Sequence, residues 1–201
     1  MIKKLRIKLI AASMASLFFV LFVIGGIVGI LNYKKIVEDA DGILDVLEKN
    51  EGKFPQKFPG MRKDKPHGLS PEIPYESRYF SVLLDENGNI ILTDTSKIIS
   101  IDTEKAMEYA LEVWKKDAKK GFLDDYRYWK TFSNGEIRII FLDCRRQLDN
   151  FQNLLFTTVV VSNIGLLSVF VLMFFLSARI VKPFSDNYEK QKRFITDAGH
   201  E

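Results

Sequence analysis

Two stretches without a single charged side chain constrain this chain more than anything else in it: Leu9–Leu31, with 23 residues, and Leu154–Ala178, with 25. A helix rises about 1.5 Å per residue, so each run is roughly 35 Å long and exceeds a hydrocarbon core of about 30 Å. Such a pair excludes a soluble globular protein as the reading. The first run is longer than the apolar core of a secretory signal and has no clear small-x-small cleavage site, so it reads as an uncleaved anchor. The expected order is a cytoplasmic N-terminus (1–8), a transmembrane helix (9–31), an outer domain (32–153), a second transmembrane helix (154–178) and a cytoplasmic helix (179–201). The outer segment is long enough to bury a core of its own.

Charge sets the orientation. Lys3, Lys4, Arg6 and Lys8 precede the first run with no acid among them, residues 32–153 carry a net −2, and the tail carries a net +1. The formal +3 of the whole chain is therefore a topology signal, with both termini inside, and a nucleic-acid partner loses its support. The single cysteine excludes an internal disulfide framework and a cysteine-rich metal site. Cys144 falls outside the membrane in this topology. It reads as a small buried hydrophobe, with an intermolecular disulfide as the alternative.

Within 32–153 the pattern alternates between helix and strand. Tyr33, Ile36, Val37, Ala40, Ile43, Leu44 and Leu47 recur at helical spacing, with Gly42 a weak point. Five prolines between Pro55 and Pro74 exclude regular helix or central strand, so that stretch, with His67 solvated inside it, reads as an extended loop. Arg78–Leu84 and Ile90–Asp94 flank a turn-rich Asp85–Asn89. Asp102 or Thr103 caps a helix expected to reach Lys120, with Lys115, Lys116, Lys119 and Lys120 at its negative end and Gly121 as its stop. Tyr126–Phe132 and Ile137–Asp143 form a second hairpin around Asn134-Gly135. The compact solution is an α+β domain, an antiparallel sheet with helices on one side. This order resembles the extracytoplasmic PAS-like (PDC-type) sensor domains of bacterial receptors. The resemblance implies a small-molecule ligand between sheet and covering elements, with Arg78, Tyr79, Tyr126, Arg127, Tyr128 and Trp129 as candidate pocket groups. An ordinary half-exposed strand accounts for the same alternation. No metal-ligand cluster, nucleophile motif or phosphate-binding loop is legible in the domain.

In the spans, Gly25 and Gly29 form a small-xxx-small face, and Asn163 is the one amide of the second span, both pointing to helix packing. In the tail, Val181, Phe184, Tyr188, Gln191, Ile195 and Ala198 follow 3-4-3-4-3 spacing, a short heptad seam with a polar interruption at Gln191. His200 falls on the outer face of that helix. The residues Phe194-Ile195-Thr196-Asp197-Ala198-Gly199-His200-Glu201 resemble the start of the H-box of sensor histidine kinases from bacterial two-component systems.

That resemblance implies His200 as phosphoacceptor and Glu201 as the carboxylate that orients or deprotonates its imidazole. A neutral imidazole beside a carboxylate suits nucleophilic attack near pH 7. It further implies a homodimer, a cognate response regulator, an unknown extracellular small-molecule ligand, and ATP and Mg in a catalytic domain lying beyond these residues. No cofactor is expected in this chain, which by itself should be inactive. The usual Leu-Lys-Thr-Pro is expected directly after Glu201. Little room remains between the span and the histidine for the relay segment common in such receptors, and Pro183 is the one expected kink. The alternative function is a non-enzymatic membrane receptor module that binds a ligand and works through dimerisation.

Overall fold

The computed structural model describes residues 2–55, 70, 72–133 and 135–198, from 177 onward as backbone alone. Along the chain run α1 (Ile2–Lys49), α2 (Ile73–Glu76), β1 (Tyr79–Asp85), β2 (Ile90–Asp94), α3 (Thr103–Trp114), β3 (Lys120–Leu123), β4 (Tyr126–Ser133), β5 (Glu136–Asp143) and α4 (Arg145–Ala198). The chain divides into two units. Leu31–Gln152 form an α+β domain, and the remaining parts of α1 and α4 form the other.

α1 passes through Gly42 without a break, because Ala40, Leu44 and Leu47 are buried against the sheet and outweigh one poor helix former. It ends in a Schellman turn: the Gly52 amide donates to the Leu47 carbonyl at 2.7 Å and the Glu51 amide to that of Glu48 at 3.3 Å. Glu51 itself occupies the left-handed region, φ 56°, a position usually given to glycine. Residues 56–69 and 71, with His67 and most of the proline-rich segment, lie outside the described residues. Pro74 does sit in a helix, contrary to expectation, but in the first turn of the four-residue α2, where a missing N–H costs nothing.

The five strands form one antiparallel sheet in the order β2-β1-β5-β4-β3. Helices cover both faces, not one. The central strand explains why: Ile137, Ile139 and Phe141 point to one side, while Ile140 and Leu142 point to the other, so each face needs a cover. α3 closes the first side over Phe80, Val82, Leu84, Tyr126 and Tyr128, with the Phe80 and Phe141 rings stacked at 4.5 Å. α1 closes the second over Tyr79, Ile140, Leu142 and Cys144.

α3 starts as read, with the Asp102 carboxylate accepting the Lys105 amide at 2.8 Å. Its end differs from the expectation. It stops at Trp114, and Lys120–Leu123 become β3, paired with Tyr126–Trp129 across a turn at Asp124 and Asp125. Gly121 is there for the strand: a Cβ at that position would lie 2.6 Å from the Tyr128 hydroxyl oxygen. The helix end is neutralised by Lys130 of β4, not by the four lysines that follow it in sequence. The buried Lys130 ammonium donates to the carbonyls of Val113 and Trp114, each at 3.4 Å, and to that of Lys116. A buried charge needs such partners, and the carbonyl end of a helix supplies negative potential.

In the other unit α1 and α4 run antiparallel. Partners on α4 descend as positions on α1 ascend: Arg6 donates to the Phe174 carbonyl at 2.6 Å, and Cβ atoms at Gly25 and Gly29 would lie 3.8 Å from Thr158 and 3.3 Å from Leu155. The small-xxx-small face thus lets two segments of one chain approach. Asn163 makes no bond across this pair; its amide donates to its own helix at the Val159 carbonyl, 2.8 Å away. Both helices are long and apolar enough to cross a membrane.

Candidate functional site

Six outer-domain residues were singled out from sequence, and the sheet distributes them to three environments because successive residues of a strand face opposite ways. Tyr126 and Tyr128 point into the α3 side of the core, Tyr126 meeting Phe80 edge-to-face at 5.4 Å. Tyr79 lies on the α1 side against Phe54 at 5.5 Å, and its burial pushes the phenol above the ordinary tyrosine range. Arg127 grips Asp41 of α1 at 2.9 and 3.2 Å, a two-point pairing that fixes the register of helix on sheet. Lys120 adds to it, 3.8 Å from the same carboxylate and stacked over Trp129 at 3.2 Å. Arg78 is the one of the six that lines the groove described next.

That cavity is an open groove of about 570 Å³ between the α2 segment and the connection from β2 to α3. Pro74, Tyr75, Ser77 and Arg78 line one side, and Ser96, Lys97, Ile98, Ile99 and Ser100 the other. Ile98 is buried beneath it, whereas Tyr75 and Ile99 stand almost fully exposed at its rim. Among the described residues the lining therefore offers two cations, four hydroxyls and no carboxylate. Asp94, at the end of β2, is held by Ser96, whose amide donates to it at 3.0 Å, and this bonding keeps the carboxyl below its usual range.

Arg78 also connects the groove to the head of α4. Its guanidinium lies 3.3 Å from Oδ2 of Asp143, whose side chain is only 2% exposed. The other oxygen of Asp143 accepts the Arg145 amide at 2.9 Å, at the first turn of α4. Arg145 in turn donates to Asp125 at 3.0 Å, and the Cys144 amide donates to the Asp125 carbonyl at 2.9 Å. Sequence reading missed Lys97, Asp143 and Arg145. An aspartate two residues before a helix was the available signal for Asp143, and nothing local marks Lys97.

Cys144 occupies the middle of this junction at 1% exposure, and burial pushes its thiol up to about 11. In this state it is packing material, closed to a partner thiol. His200 and Glu201 lie outside the described residues, as does Gly199; the backbone of α4 is helical through Ala198, past Pro183, and includes the six positions of the heptad pattern. Among the described residues, no group of three or more His, Cys, Asp or Glu side chains is placed to hold a metal ion. A scan against protein-family models finds no match to this chain, and a search of curated proteins finds none.

Proposed function

We propose that the chain is the input half of a transmembrane sensor histidine kinase, in which an outer PAS-like domain governs phosphorylation of His200. The carrying observation is one helix: α4 runs 54 residues from the end of the sheet, through the second apolar run, to within two residues of the histidine of the H-box-like sequence. A continuous helix is one physical route by which displacement can be carried between sites.

Three further features support the reading. The all-antiparallel order β2-β1-β5-β4-β3 with helices packed on the sheet suits a PAS-like domain. The antiparallel pairing of α1 with α4 suits two membrane spans with both chain ends on one side. Tyr33 and Phe151, 5.9 Å apart, stand just outside the two apolar runs, where aromatic rings favour a membrane interface.

The reaction is a phosphoryl transfer. A ring nitrogen of neutral His200 attacks the γ-phosphorus of ATP, the bond to the β-phosphate oxygen breaks and ADP leaves. Glu201 accepts the proton displaced from the imidazole. The phosphoryl group then passes to an aspartate of a response regulator. ATP and Mg²⁺ belong to a nucleotide-binding domain that the test supplies.

In that test the chain, reconstituted in lipid nanodiscs, is mixed with a sensor-kinase ATP-binding domain and γ-labelled ATP. Acid-labile label is expected on the chain, lost in His200→Gln and kept in His67→Gln. Label that survives His200→Gln would refute the assignment. A chain that stays unlabelled but changes its dimerisation with an added small molecule would favour the receptor module.

A further inference from the structure

We propose that the groove bordered by Arg78 and Lys97 binds a small oxyanion, and that its occupancy loosens the head of α4 by drawing Arg78 away from Asp143. The inference rests on reading the outer domain as a ligand-controlled input unit. It names the ligand chemistry and the side chain that carries the signal.

The lining argues for the charge. Two cations and four hydroxyls line the groove with no carboxylate among its described residues, and Asp94, the acid at the adjacent strand end, is already committed to Ser96. Arginine offers a planar pair of donors that suits carboxylate or phosphate, and serine hydroxyls complete such a shell. The volume exceeds what a bare ion fills. Pro74 and Ile98 give the cavity apolar wall as well, so a compact organic anion fits it better than a halide.

The coupling follows from unequal exposure of one ion pair. The Arg78 side chain is 54% exposed and reaches the groove, whereas Asp143 is 2% exposed and cannot follow it into water. An anion in the groove competes for the guanidinium at little desolvation cost to arginine. Asp143 would then be left with the Arg145 amide as its remaining described partner, and a buried carboxylate short of donors is destabilised. Relief comes by loosening that first turn. Binding and loosening are linked reciprocally, so removing the charge of Asp143 must strengthen anion binding.

The experiment uses the full chain in nanodiscs, titrated calorimetrically with malonate and with inorganic phosphate, tetramethylammonium chloride serving as the cation control. Saturable binding of at least one anion is expected, weakened tenfold or more by Lys97→Gln and by Arg78→Gln. Arg78→Gln leaves a buried charge unpaired, so the neutral pair Arg78→Gln/Asp143→Asn is measured as well and should bind equally poorly. Asp143→Asn alone should tighten binding several-fold. Hydrogen exchange at the Arg145 and Leu148 amides should accelerate when the anion is bound to the unmodified chain and stay constant in Asp143→Asn. Preference for malonate or phosphate distinguishes a carboxylate from a phosphate ligand. Equal affinity in the Lys97→Gln and paired variants, or no binding of either anion, would overturn the site. Binding that leaves Arg145 exchange unchanged, or that Asp143→Asn does not strengthen, would overturn the coupling. None of these readouts involves labelling of His200, so they stand or fall separately from the kinase assignment.

Discussion

The two faces of the sheet are both apolar, yet they are held in different ways. On the α3 side a continuous cluster of rings and aliphatic chains does the work, and the buried charge of Lys130 is absorbed by carbonyls at and just after the helix end. On the α1 side the apolar strip is thin, Ala40, Leu44 and Leu47 over Tyr79, Ile140 and Leu142, and directional contacts surround it. Arg127 and Lys120 hold Asp41, and Arg138 donates to the Glu51 carbonyl at the end of α1. Apolar packing is tolerant of small sliding, whereas a two-point guanidinium–carboxylate pair admits one register. The helix continuous with the first apolar run is thus indexed to the sheet, while α3 is simply packed on it.

The chain carries one tryptophan on each side, Trp114 beside the α3 cluster and Trp129 beside the α1 cluster, so single-tryptophan variants report the faces separately. The largest effect is expected from Phe141→Ala, which empties the middle of the α3 side. It should cost about 3–5 kcal/mol in chemical denaturation followed by Trp114 fluorescence. A loss below about 1 kcal/mol would mean that this side is not the packed one.

Next in size is Arg127→Met. Removing the cation should cost about 2 kcal/mol, read at Trp129, because a part-buried Asp41 loses two charge-assisted bonds. The double variant Asp41→Leu/Arg127→Met should recover most of that loss while allowing α1 to shift, since an apolar pair can replace an ion pair in stability but not in register. Full recovery together with unchanged α1 position, measured by spin-label distances from α1 to β4, would dissolve the contrast between the faces.

A smaller effect separates the faces by pH. Tyr109 donates to Asp124 at 2.6 Å on the α3 side, and that bond pushes its phenol up to about 12, while burial pushes the Cys144 thiol on the α1 side up to about 11. Both folded groups hold their protons beyond the point where the unfolded chain loses them. Their contribution is therefore complete below the unfolded values, about 9 for the thiol and 10 for the phenol, and is lost as pH rises through the folded ones. Tyr109→Phe should cost about 1 kcal/mol at neutral pH and flatten the decline between about pH 10 and 12. Cys144→Ala should flatten only its lower part. An unchanged alkaline profile in both would remove these groups from the account.

The smallest effect is a gain. Glu51→Gly relieves a left-handed glutamate at the end of α1 and should stabilise by up to about 1 kcal/mol, raising the denaturation midpoint without altering its steepness. A loss instead would show that the Glu51 side chain contributes contacts worth more than the strain.

Much of this protein is written in local pattern. Charge-free length fixes the two long helices, 3.6-residue spacing picks out Ala40, Leu44 and Leu47, and turn chemistry at Asp85–Asn89 and around Gly135 places both hairpins. Those signals are legible because each depends on neighbours in the chain. What tertiary structure decided depends on partners far along it. Gly121 looks like a helix stop until Tyr128 is laid across it, and Lys130 looks like a strand surface residue until the end of α3 arrives over its ammonium. Tyr126 and Tyr128 become core, and Arg78 becomes the link between a groove and Asp143, only when the sheet assigns each strand position a face. Alternation predicts that two faces exist; which of them is covered, and by what, is settled by long-range packing energy that no window of sequence contains.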